Sequence, residues 1–224
     1  CGEILPNAQC GCQRDCMGQC IDNSSCGNEY WAAYGYDCCI DNGTCEYPLD
    51  CGENVYIGQN VIFTNPKEVI LGDNVRIDPF CWITTNLNVG SNVQITSHVV
   101  IGGGLDHTVT IGDWCFIGYG SKLFCASEDY SGKSGPVNDF WGSNKVYHGD
   151  ISFENYSGIA SDVMVMPGVT LPEGCTVGAK SFIYTRNELT PWSVWIGNPP
   201  KLHKERDREA VLRLSKDPNF LKSR

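Results

Sequence analysis

The chain has 224 residues, 42 % of them hydrophobic, with a formal net charge of −10 and an isoelectric point near 4.8. So acidic a chain makes nucleic acid an unfavourable partner. No apolar run approaches the ~18 residues of a membrane-spanning helix, and the length suffices for one sizeable core plus appendages.

Residues 1–52 form a cysteine-rich segment. It holds ten of the fourteen cysteines: Cys1, Cys10, Cys12, Cys16, Cys20, Cys26, Cys38, Cys39, Cys45 and Cys51. Gly, Asn and Asp dominate between them, and apolar periodicity is weak, so the segment needs cross-links to hold a fold. An even number of cysteines in a short stretch predicts up to five disulfides of unknown pairing, with a zinc site as the rival reading. Disulfides in turn predict a secreted or lumenal protein. The chain starts at Cys1 rather than Met, as after removal of a leader, so targeting is not directly legible. Three N-glycosylation sequons, at Asn23, Asn42 and Asn155, agree with a secretory route. The rings of Tyr30, Trp31, Tyr34 and Tyr36 serve either as a small core beside the cystines or as a sugar- or partner-binding face.

From Val55 to Ile183 the sequence repeats every six residues. Aliphatic residues recur at Leu71, Ile77, Ile83, Val89, Ile95 and Ile101, again at Ile111, Ile117 and Leu123, and again from Phe153 to Ile183. A period of six excludes helix and predicts short strands, three to a coil of about eighteen residues, stacked as a solenoid. The residue four beyond each aliphatic fills a smaller interior slot, among them Val75, Cys81, Cys115, Cys175 and Ser181. Cysteines there read as small buried hydrophobes. Gly, Asn and Asp collect at the corners, where positive φ or side-chain turn bonds are needed. The solenoid is assigned to residues 53–200, with an inserted loop at 124–152.

Three interruptions break the register. Phe63 to Leu71, Ile101 to Ile111 and Leu123 to Phe153 are longer than one repeat. Counting sides around the prism, all three leave from one corner, and insertions gathered on one edge of a solenoid mark its working edge. That edge carries His107 in the second insertion, and Glu128, Asp129, Tyr130 and His148 in the third. Cys125 is either core or half of a further bridge.

The repeats, the run Val165-Met-Pro-Gly-Val-Thr-Leu-Pro-Glu-Gly and the ending Pro191-Trp-Ser-Val-Trp-Ile-Gly-Asn-Pro-Pro-Lys resemble the hexapeptide-repeat acyltransferases. The nearest branches are the sugar or polysaccharide O-acetyltransferases and the xenobiotic acetyltransferases. The resemblance implies a left-handed parallel β-helix, acetyl-CoA as co-substrate, no metal, a homotrimer, and a sugar or polysaccharide acceptor. It also implies a histidine base, and here His148 or His107 would take the acceptor's proton, with Asp129 or Glu128 as its orienter. In the galactoside and xenobiotic branches the catalytic histidine comes a few residues after the equivalent of Leu123. Here that place reads Cys125-Ala-Ser-Glu-Asp-Tyr-Ser, without one. His98 is a third candidate for the base, but it falls at a different corner and reads rather as a surface or corner histidine. Trp192, Asn198 and Lys201 match the family's coenzyme-binding ending; otherwise they only cap the solenoid.

The basic tail, residues 201–224, carries a short amphipathic helix stopped at Asp217-Pro218. Two functions follow: an acyl-CoA-dependent O- or N-acetyltransferase acting on a sugar, or a secreted structural or binding protein that keeps the β-helix without the reaction.

Overall fold

The computed structural model describes residues 49–129 and 146–217. These form a mainly β parallel solenoid with one short helix near the C-terminus. Short strands pair in parallel from coil to coil, on three faces. On the first face Phe63, Ile83, Ile101, Leu123, Val165 and Ile183 are in register. On the second, Cys51 pairs with Leu71 and Leu71 with Val89, followed by Ile111, Phe153 and Leu171. On the third, Ile57, Ile77, Ile95, Ile117, Ile159, Val177 and Trp195 align.

The period of six causes this arrangement. Each aliphatic lands on the interior of a successive face, and adjacent coils lie about 4.8 Å apart, so like residues stack. Ile77, Ile83, Ile95, Ile101, Ile117 and Leu123 are all fully buried. Each contributes about 1.5–3 kcal/mol of transfer free energy. The smaller slot is buried as well, from Val75 through Cys81, Cys115 and Cys175 to Ser181. Cys81, Cys115, Cys125 and Cys175 are free thiols, so Cys125 is core and forms no bridge.

The corners carry a surprise. Residues with left-handed φ include Asn54, Asn74 and Asn92, as the composition suggests, but also Phe80, Trp114, Tyr156 and Trp192. Bulky side chains rarely adopt this conformation. Here each ring stacks on the corner residue of a neighbouring coil: Trp114 on Tyr156 with centroids 6.4 Å apart, and Tyr156 against Trp192 at 5.8 Å. Corner N–H groups are capped by side chains one coil away, as where Asp113 N donates to Asn155 Oδ1 at 2.8 Å.

The tail differs from its expected helical form. Lys201–Glu205 is a strand, antiparallel to Ser193–Ile196 on the third face. Arg206 Nη1 then donates to Gly174 O at 3.0 Å and to Tyr156 O, fastening the chain to the corner. Only then does the helix begin, at Arg208–Leu214, capped by Asp207 Oδ1 accepting from Ala210 N at 2.9 Å.

Of the ten N-terminal cysteines, Cys51 alone falls among the described residues; it is disulfide-bonded. The remaining nine, with Asn23, Asn42 and the four aromatic rings of that segment, lie outside the described residues. A disulfide-rich N-terminal segment therefore has no support in the described fold beyond Cys51.

Candidate active site

Phe63, Ile101 and Leu123 occupy one ladder of the first face, so all three insertions leave at the edge between the first and second faces. The second insertion does not leave the sheet. Val100–Ile111 runs as one strand around the corner beside Trp82–Val89, and the mismatch in length is absorbed where Thr85 pairs with Gly104 and Asn86 with Thr108. Thr85 is buried, and its hydroxyl lies 2.6 Å from Gly104 O and 2.8 Å from His107 O. Its single proton is shared between two carbonyls at the bulge. Asn86 Nδ2 donates to Leu105 O at 2.9 Å. Asn86 Oδ1 is, among the described residues, the buried side-chain oxygen without a hydrogen-bond partner.

The third insertion begins and ends as an antiparallel ribbon, Ala126–Glu128 against Val146–His148. Cys125 N donates to Gly102 O at 2.7 Å and Gly149 N to Cys125 O at 3.0 Å, so the ribbon's base is tied to the second insertion. Gly103 has φ +142°, and a Cβ there would stand 2.6 Å from Cys125 Cβ.

This interlock brings His107 and His148 together. His107 Nε2 is 3.0 Å from His148 Nδ1, and the rings stack with centroids 4.9 Å apart. His107 Nδ1 lies 3.3 Å from Asp150 Oδ1, which also accepts from Thr108 N at 3.1 Å. Two imidazoles and a carboxylate thus form a line at the working edge. Such a set can accept a proton from a nucleophile and hold the resulting charge. Cys125, beneath it, is no nucleophile: burial, with a smaller effect from the Asp150 charge, pushes its thiol up to about 11.

No family model matches the chain. It is 29 % identical over 166 residues to the dTDP-4-amino-4,6-dideoxy-D-glucose acyltransferase of Escherichia coli, covering 71 % of this chain and 83 % of that one. To the putative colanic acid biosynthesis acetyltransferase WcaF of Escherichia coli it is 28 % identical over 155 residues, covering 69 % of this chain and 68 % of that protein. Among solved structures it superimposes on a point variant of AntD, an N-acyltransferase from Bacillus cereus in complex with dTDP-4-amino-4,6-dideoxyglucose and coenzyme A. The TM-score is 0.68 at 28 % identity, covering 79 % of this chain and 91 % of that one.

In sequence and fold the chain is similar to sugar acyltransferases of the hexapeptide-repeat kind.

These relatives correct one expectation. They are bacterial sugar acyltransferases, and this contradicts the secretory setting inferred from cysteines and sequons. The Asn155 sequon has a structural explanation: its amide oxygen is the corner cap of Asp113, and Ser157 is buried.

The remaining candidate residues lie elsewhere on the solenoid. Glu128 lies opposite Val146 on the ribbon, two positions along from the pairing of Ala126 with His148, and Asp129 follows it. The carboxylate bonded to His107 is that of Asp150, not one of the two expected from the sequence. Its signal was its place two residues after His148, since alternate residues of an extended segment face one side. His98 stacks on Phe80 at the edge between the third and first faces, with centroids 5.2 Å apart. Trp192 lies on the edge between the second and third faces. Its Nε1 donates to Glu173 Oε2 at 3.2 Å, and Arg208 lies 5.4 Å over its ring. Asn198 and Lys201 are exposed at the closing end of the solenoid. Among the described residues no group of three or more His, Cys, Asp or Glu converges as metal ligands would.

Proposed function

We propose that the protein transfers an acyl group from an acyl-coenzyme A to the amine of a nucleotide-linked aminosugar at the His107–His148 edge. The contact of the two histidines, at the place where the insertions meet, carries this reading. The named substrates of the Escherichia coli relative and of AntD support an aminosugar acceptor, and coenzyme A in the AntD complex supports the donor.

The acceptor nitrogen attacks the thioester carbonyl carbon. Its proton passes to an imidazole of the pair, the C–S bond breaks, and the thiolate leaves as coenzyme A once that proton is returned to sulfur. Amide and free thiol are the products. Asn198 and Lys201 are the proposed contacts of the coenzyme.

The protein is further inferred to act as a homotrimer. Ile62, Phe80 and Trp82 are about half exposed in neighbouring coils, a flat apolar surface suited to a second copy. Sedimentation equilibrium should give three times the mass of the chain, and a monomer contradicts it.

The deciding experiment incubates the protein with acetyl-CoA and dTDP-4-amino-4,6-dideoxyglucose, following the acylated sugar by mass spectrometry. Product with the amine and none with the matching 4-hydroxy sugar is expected. The WcaF relative favours one rival, acylation of a sugar hydroxyl, which predicts the reverse pattern.

A further inference from the structure

We propose that Asp150 is a positioning residue that acts through His107 and thereby makes His148 Nε2 the catalytic base. The assignment rests on the acyl-transfer reading above and follows from proton accounting along the line. A carboxylate oxygen only accepts, so the bond at 3.3 Å requires the proton on His107 Nδ1. Neutral His107 then has a bare Nε2. At 3.0 Å from it, His148 Nδ1 must supply the proton of that contact. The remaining nitrogen, His148 Nε2, is left with its lone pair free. The other tautomer of His107 would leave the Asp150 contact without a hydrogen.

The backbone fixes the first member of the line. Ile151 pairs with Val109, which brings Asp150 opposite Thr108, and Thr108 N donates to the same Oδ1 at 3.1 Å. Asp150 is held against the second insertion while His148, two residues earlier, rides on the third. The line therefore forms only when the two insertions are docked.

During reaction the acceptor's proton moves to His148 Nε2. Both hydrogen bonds keep their direction: His148 Nδ1–H to His107 Nε2, and His107 Nδ1–H to the carboxylate. No second proton need move, and the imidazolium is bonded toward a negative charge. His107 takes the place of the carboxylate or carbonyl that usually orients such a base.

The decisive test is nuclear magnetic resonance of the intact protein labelled with ¹⁵N-histidine, which reads which ring nitrogen of each histidine carries hydrogen. The expected result is His107 protonated at Nδ1 and bare at Nε2, with His148 protonated at Nδ1. His107 protonated at Nε2 and bare at Nδ1 overturns the proposal, whether or not the protein acylates sugars. A protein with the expected tautomers and no transferase activity refutes the functional reading instead. In an active protein, Asp150→Ala is expected to lower kcat roughly 10- to 100-fold with KM held within about twofold. Asp150→Asn, which keeps an oxygen able to accept from Thr108 N–H and His107 Nδ1–H, should recover most of the loss. The melting temperature should hold, because the Asp150 side chain is 70 % exposed and such a pair adds little stability. Equal kcat loss in Asp150→Asn and Asp150→Ala, or a loss confined to KM, contradicts the role.

Discussion

The hydroxyl of Thr85 stands 2.8 Å from the carbonyl oxygen of His107 and 2.6 Å from that of Gly104. One buried side chain in one coil thus holds the bulge that presents the histidine from the next. Thr85→Val keeps the shape and removes the donor, leaving the Gly104 and His107 carbonyls short of a partner. The expected cost is about 1–3 kcal/mol in chemical denaturation, with a fall in kcat larger than in a control such as Thr110→Val on the exposed face. Equal kcat in both variants would show that the bulge holds its form without Thr85.

Gly103 and Cys125 meet more closely than side chains allow. A methyl group at Gly103 would stand 2.6 Å from Cys125 Cβ, at a φ of +142° that residues with a side chain rarely adopt. Gly103→Ala must part the second insertion from the base of the third, with backbone strain of about 1–3 kcal/mol in addition. Activity is expected to fall at least as far as the melting curve implies, since His107 and His148 ride on the two parted pieces. Full activity in this variant would mean that the histidines need not touch.

Alkaline pH should loosen the solenoid. Burial pushes the thiols of Cys81, Cys125 and Cys175 up from 9.0 to about 11. A folded-state value above the unfolded one means that the folded chain holds more protons in between. Stability from this source is complete below pH 9 and is lost as pH rises from about 9 toward 11. Melting temperature measured across that window should fall, and less steeply in Cys125→Ala than in the unaltered protein once each is referred to its own value at pH 8. Parallel curves would remove Cys125 from the account.

Much of this was legible in the sequence, for reasons that particular residues make plain. The six-residue spacing of Leu71, Ile77 and Ile83 fixes the faces, because each of these large aliphatic side chains is buried in the interior. The common edge followed from counting, since Phe63, Ile101 and Leu123 can share a ladder only if each coil closes on itself. Other relationships depend on the folded coils and are not legible in the residues alone. Trp192 and Tyr156 occupy left-handed corners and meet along an edge. Glu128 and Asp129 lie nearer the start of the long loop, whereas Asp150 reaches His107 because the loop returns to the sheet at Ile151. Chain order alone does not reveal that return. The strand at Lys201–Glu205 is likewise set by pairing with Ser193–Ile196, not by its own composition.

The most direct measurement of the central claim is the steady-state rate of aminosugar acylation by His148→Ala beside the unaltered protein. General-base removal is worth roughly 100- to 10,000-fold, so kcat should fall by at least the lower figure while the melting temperature stays put, the His148 side chain being exposed. An undiminished kcat in His148→Ala would place the chemistry somewhere other than the edge where the insertions meet.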